Sequence, residues 1–114
     1  MTSSTILHLT TKPVWEAAVE KGFYAQSTLE QTLDEVGFIH ASFPDQLAET
    51  ARLHYSACTD ELVLLEMNIE TLTNAGLEVK LEESRNGQLF PHIYAPIPVE
   101  LIEKVTPYQI WNKD

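Results

Sequence analysis

Three of the four histidines share one context, an apolar run with a hydroxyl residue two positions after the imidazole. The runs are Ile6-Leu7-His8-Leu9-Thr10, Phe38-Ile39-His40-Ala41-Ser42 and Phe90-Pro91-His92-Ile93-Tyr94. Imidazole donates, accepts and titrates near neutral pH. Residues two apart on a strand point to the same face. Each run therefore aims an imidazole and a hydroxyl one way and its apolar neighbours the other. If the three strands share a sheet, His8, His40 and His92 converge on one polar cleft.

Three chemistries compete for such a patch. The first is a pocket in which imidazoles and hydroxyls hold ribose, phosphate or carboxylate oxygens of a small molecule. The second is a three-histidine metal site. No short-range ligand spacing supports it, so no metal is expected. The third is a binding or interaction module without turnover. His54 stands apart on a helix with Arg52 and Tyr55 and reads as a surface residue. Glu78, Glu82 and Glu83 read as solvated acids on or beside a wet strand face, with Glu78 the one to watch. Glu66 lies in an apolar run, so it must reach a strand end or be paired. The single cysteine, Cys58, excludes an internal disulfide and a Cys-rich metal centre.

The elements that position these groups follow from periodicity. Thr5 to Leu9 reads as a strand. Thr11-Lys12-Pro13 starts a helix that Gly22 ends. Ser27 is the expected cap of a second helical segment carrying Leu29 and Leu33, closed by Gly37. Phe38 to Ser42 is the second strand. Pro44-Asp45 opens a helix that buries Leu47, Ala48, Ala51 and Tyr55. Leu62 to Met67 suits a central strand, and Asn68 to Thr73 a helical turn. Val79 and Leu81 alternate with Glu78, Lys80 and Glu82, and Asn86-Gly87 signals a hairpin into Gln88-Leu89-Phe90. Glu103 to Ile110 forms the last strand, edged by Pro107. Helices near the start followed by strands give an α+β chain, read as one domain over 1–114.

Composition sets the limits. Hydrophobic residues make 44% and charged residues 21%, an ordinary globular balance. With 17 acids against 7 bases the net charge is −10, which disfavours nucleic acid as a general partner. No apolar stretch approaches a membrane span, and no signal peptide is evident. The expected setting is cytoplasmic. No glycine-rich phosphate loop is present, and four glycines could not hide one.

Gly37-Phe38-Ile39-His40-Ala41-Ser42, then Gln46, Leu64-Leu65-Glu66 and Leu89-Phe90-Pro91-His92-Ile93-Tyr94-Ala95-Pro96, resemble the domain of unknown function 952 family. Ile6-Leu7-His8-Leu9-Thr10 and Trp15 fit its start, so the resemblance spans nearly the whole chain. The position between His and Ser, often Cys in that family, is Ala41 here, so it is not a required nucleophile. The resemblance implies a relation to the ADP-ribosyltransferase-like superfamily, with a bent, split, antiparallel-rich β-structure and a few helices around a cleft for NAD. It implies that His8 contacts a ribose hydroxyl and that His40 lines the nicotinamide side. His92 falls where active transferases carry a glutamate.

The resulting expectation is a pocket for an NAD-like, ADP-ribose-like or phosphorylated small molecule. Its catalytic candidates are His40 and His92. Its ligand-binding candidates are His8, Thr10, Ser42, Phe90 and Tyr94. Transferase or hydrolase activity is one outcome, and a non-catalytic ligand-binding or interaction module the alternative. On this reading His8→Ala and His40→Ala weaken binding and leave the fold intact.

Overall fold

The computed structural model describes residues 5–28, 31–83 and 87–109. The chain opens with strand β1 (Thr5–Thr11), rich in β-branched residues, and turns into helix α1 (Lys12–Lys21). The Thr11 hydroxyl accepts from the Val14 N–H at 3.4 Å, and a proline sits in the first turn. Gly22, at φ 96°, closes α1 by donating to the Ala18 carbonyl. That left-handed angle is one a side chain adopts only with strain. Three short strands follow, β2 (Phe23–Tyr24), β3 (Gln26–Thr28) and β4 (Gln31–Thr32). Helix α2 (Leu33–Val36) precedes β5 (Ile39–His40), and a 3-10 turn at Pro44–Gln46 leads into α3 (Leu47–Tyr55). The remainder is β6 (Leu62–Asn68), α4 (Ile69–Asn74), β7 (Val79–Glu83), β8 (Leu89–Ile93), β9 (Ile97–Pro98), a 3-10 turn at Val99–Leu101 and β10 (Lys104–Tyr108).

The main strands form two three-stranded antiparallel sheets, ordered β1-β6-β10 and β5-β8-β7. The pairs β2-β9 and β3-β4 are separate antiparallel ribbons. β6 is central, as its apolar run requires. Its Val63, Leu65 and Met67 join Ile6, Tyr24, Leu72 and Ile97 in the main core. Ile39 and Ile93, partners across β5 and β8, bring the second sheet into the same core. A smaller cluster of Leu9, Ala51, Tyr55 and Leu62 fastens α3 to the opposite face of β1. Glu66 is half-buried directly opposite Lys104.

Several expectations are corrected here. Ser27 does not cap a helix; it is buried in β3. α2 is a single turn held by a reciprocal cap, in which Thr32 Oγ1 accepts from the Glu35 N–H and Glu35 accepts from the Thr32 N–H. Leu29 and Asn86 lie outside the described residues. On α3, Thr50 is buried and Ala48 exposed, because the helix turns its Leu47-Thr50-Ala51 side inward. The three histidine runs do not share a sheet: β1 belongs to the first, β5 and β8 to the second.

Among the described residues, the sheets meet at one backbone bridge. Leu7 and Ser42 exchange both backbone hydrogen bonds at 2.8 Å. Continued by one step, that ladder would pair Leu9 with His40. Instead the strands part, and side chains take over both carbonyls. Tyr55 Oη donates to the Leu9 carbonyl at 2.8 Å. His8 Nδ1 lies 2.6 Å from the His40 carbonyl, and His8 Nε2 lies 2.7 Å from the Tyr24 hydroxyl. A carbonyl only accepts, so His8 carries its proton on Nδ1 and Nε2 accepts from Tyr24. Thr10 in turn donates to the Tyr24 oxygen, which opposes the upward push of burial on that phenol.

Burial lowers the His8 pKa from 6.5 to about 4, the bond to the His40 carbonyl only partly opposing it. His8 therefore stays neutral in the fold at pH values where the unfolded chain protonates it. Its contribution is complete above about pH 6.5 and is lost as pH falls toward 4. Over that window urea melts should show stability falling by up to about 1.4 kcal/mol per pH unit from this residue. His8→Ala strands the Tyr24 hydroxyl and the His40 carbonyl and opens a cavity. It should cost roughly 2–4 kcal/mol of stability by thermal or chemical melting. The expectation that the fold is indifferent to this imidazole is thereby replaced.

Candidate functional site

The polar face of the second sheet collects the titratable side chains. Register places His40, His92 and Lys80 abreast across β5, β8 and β7, with Phe90 opposite Glu82 one pair further along. Residues two apart share a face, so Phe38, Tyr94 and Glu78 extend the same surface. The Ile39, Ile93 and Val79 side chains point the other way, toward the core. The alternation thus turns one face to the main core and gathers the titratable side chains on the other, where Phe90 and His92 are buried and Phe38, His40 and Tyr94 half-buried.

Ring contacts organise this face. Phe38 stacks on His92 with centroids 3.9 Å apart and planes at 14°. His40 lies 5.3 Å from His92 and 5.2 Å from Phe90. From α3, the His54 ring meets His40 edge-on at 6.1 Å. Lys80 sits over the Tyr94 ring at 5.0 Å and pairs with Glu78 at 3.6 Å. Both Lys80 and Glu78 are exposed, so that ion pair adds little stability.

The centre of the arrangement is Glu82. Its Oε1 accepts from the Tyr94 hydroxyl and from His92 Nδ1, the latter at 2.7 Å. These two hydrogen bonds, the tyrosine first, hold the carboxyl below its usual range. The same contact pushes the Tyr94 phenol up to about 12. An ionised Glu82 fixes the His92 proton on Nδ1 and leaves the Nε2 lone pair available. That nitrogen is buried and has no hydrogen-bond partner among the described residues. A carboxylate-oriented imidazole with a vacant second nitrogen can act as a general base or a hydrogen-bond acceptor.

Of the residues singled out from the sequence, His40, His92, Phe90 and Tyr94 come together on this face. His8, Thr10 and Ser42 do not. All three are buried. His8 and Thr10 are consumed by the network around Tyr24, and Ser42 Oγ donates to Thr50 at 3.2 Å. Between that interior and the site lies a cavity of about 10 Å³ bordered by Ser27, His40, Ser42, Thr50 and His54. It has room for about one water molecule, so no nucleotide enters there. A far larger open hollow, about 1200 Å³, adjoins Lys12, Arg52, Cys58 and Tyr108. None of the motif histidines borders it, so its size does not make it the site. No group of three or more His, Cys, Asp or Glu side chains among the described residues could hold a metal ion.

Glu82, Phe38, Lys80 and His54 were missed as members of the site. For Glu82 the reason is register. A two-residue turn at Asn86-Gly87 would pair Glu83 with Phe90 and set Leu81 beside His92. The actual pairing is Glu82 with Phe90, one residue away, and a one-residue slip exchanges the two faces of a strand. Phe38 did carry a signal, since it precedes His40 by two.

Residues 9–105 match the model of a family described as "Protein of unknown function (DUF952)". The chain is similar to protein CC0527 from Caulobacter crescentus. Against its X-ray crystal structure the identity is 31% and the TM-score 0.79, covering 92% of this chain and 86% of that one. Against its solution NMR structure the identity is 32% and the TM-score 0.71, covering 90% and 83%. No curated protein matches.

Two substitutions test the Glu82 hub. Glu82→Gln should return the Tyr94 phenol from about 12 toward its ordinary 10, read by phenolate absorbance against pH. Tyr94→Phe should raise the Glu82 carboxyl pKa, read by carboxyl NMR. If neither titration moves, the three side chains do not share a proton network.

Proposed function

The chain belongs to the DUF952 family, and from the geometry of its second sheet we propose that it binds a nucleotide-like or phosphorylated small molecule there. The observation that carries this is the Glu82–His92 pair, with Nδ1 bound and the buried Nε2 without a partner. A buried polar atom left unpaired costs stability, on the order of 1–3 kcal/mol, and is retained where something else uses it. The half-buried Phe38 offers aromatic surface to a planar base. The imidazoles of His40 and His54 can donate to ribose or phosphate oxygens. An NAD-like or ADP-ribose-like ligand fits that donor set.

The same reading includes turnover, transferase or hydrolase in type, with His92 taking a proton from a water or a substrate hydroxyl and Glu82 stabilising the imidazolium that results. It also relates the parted sheets to the ADP-ribosyltransferase-like superfamily. Two features support that relation: the split at Leu7 and Ser42, and an acid, Glu82, reaching the third motif from the neighbouring strand. No helix of the described residues is long and apolar enough to cross a membrane. The proposed setting remains cytoplasmic, with a small molecule rather than nucleic acid as partner.

A thermal-shift panel of NAD, ADP-ribose, mononucleotides and sugar phosphates tests the proposal. A ligand at about 100 times its Kd should stabilise the fold by about 2.7 kcal/mol. His92→Ala and His40→Ala should each weaken that ligand by about 1–3 kcal/mol while the fold persists. Turnover that vanishes in His92→Ala and in Glu82→Gln marks an enzyme. Binding without turnover marks the non-catalytic module. If no ligand in the panel shifts the melt, the site reading fails.

A further inference from the structure

Strand β7 forms one edge of the second sheet, and no described strand pairs with its outward side. The Tyr94 N–H donates to the Glu78 carbonyl at 2.8 Å, so Glu78 turns its backbone toward β8. Backbone direction alternates along an antiparallel strand. Lys80 and Glu82, paired with His92 and Phe90, therefore also face β8. Val79, Leu81 and Glu83 direct their N–H and C=O groups away from the sheet. At the middle of this edge stands Leu81, 50% exposed.

We propose that this edge pairs antiparallel with the same edge of a second copy of the chain, about a two-fold axis at Leu81. The side-chain order commits the edge to that occupant. In this register Leu81 meets the partner's Leu81, and Val79 meets the partner's Glu83. These are the outward-facing residues, so each such pair exchanges both backbone hydrogen bonds. Lys80 falls opposite the partner's Glu82, and Glu82 opposite the partner's Lys80. Those are non-hydrogen-bonded positions, where side chains approach most closely. Every charged side chain between Val79 and Glu83 that meets a charge thus meets its opposite. Centring the axis on Lys80 instead would set Glu78 against the partner's Glu82, a like-charge contact. Charges on an edge strand ordinarily block association. Here their order selects one register and makes the contact self-complementary, as a two-fold interface requires.

The pairing has a consequence for the polar face. Lys80, Glu82 and His92 share that face, so the partner subunit's Lys80 arrives beside the carboxylate that holds His92. Two sites then lie side by side on one continuous sheet. The inference does not depend on what the site binds.

Sedimentation of the full chain up to about 1 mM tests it. The wild type should form a dimer. Leu81→Pro removes an outward N–H that the chain's own sheet does not use, so the monomer should fold and the dimer Kd should rise about tenfold or more. Lys80→Glu and Glu82→Lys should each be monomeric alone, and mixing them should restore a heterodimer in which both opposed pairs are again complementary. Circular dichroism verifies that each variant folds, and the charge pair decides the matter if Leu81→Pro does not. A wild type that stays monomeric throughout overturns the proposal. So does a dimer unmoved by these substitutions.

Discussion

The hydrogen bond from His8 Nδ1 to the His40 carbonyl is the constraint on which the rest of the structure hangs. Among the described residues, the two antiparallel sheets touch through a single backbone bridge at Leu7 and Ser42. One step beyond, the ladder must end, and each strand is left with a carbonyl that burial forbids to go unpaired. His8 and Tyr55 supply the two missing donors. An imidazole suits the first position because it has a second nitrogen. That nitrogen accepts from Tyr24 and so anchors the junction to the β2 ribbon and the main core. A hydroxyl or amide at residue 8 could cap the carbonyl, but it would not span both partners in one rigid ring.

His40 connects this junction to the chemistry. Its carbonyl is held by His8, and its ring stands among Phe90, His92 and His54. The ring's position is therefore set by the interior rather than by the short β5 strand, which contributes only two residues. Ala41 reinforces it, donating to the Pro91 carbonyl at 3.0 Å. Gln46 adds a tie from the turn before α3, donating to the Leu89 carbonyl at 2.9 Å. Strands braced from three sides hold the His40, His92 and Glu82 side chains in a fixed arrangement.

The acidic balance of the chain and the Glu82 hub belong to different scales. A net charge of −10 sets the field around the molecule at long range. At the site, one carboxylate is matched by two donors and sets a histidine tautomer within hydrogen-bond distance. The carboxylate that holds His92 is not in its own run. It comes from the antiparallel neighbour rather than from the same strand.

Much of the local structure was legible in the sequence. Thr11-Lys12-Pro13 and Gly22 fixed the ends of α1, and the Leu62–Met67 run announced a central strand, because caps, prolines, glycines and apolar runs act over a few residues. The pattern of alternation also marked His40, His92, Phe90 and Tyr94 as sharing a surface. What the sequence could not reveal was which strands lie together. The first histidine run looks like the other two, yet pairing places His8 at the junction between the sheets and the others side by side on one face of the second sheet. The one-residue register of β7 against β8 brought Glu82, and not Leu81, beside His92. Periodicity determines that a strand has two faces. Only pairing, governed by loop length and by contacts distant in the chain, decides what each face meets.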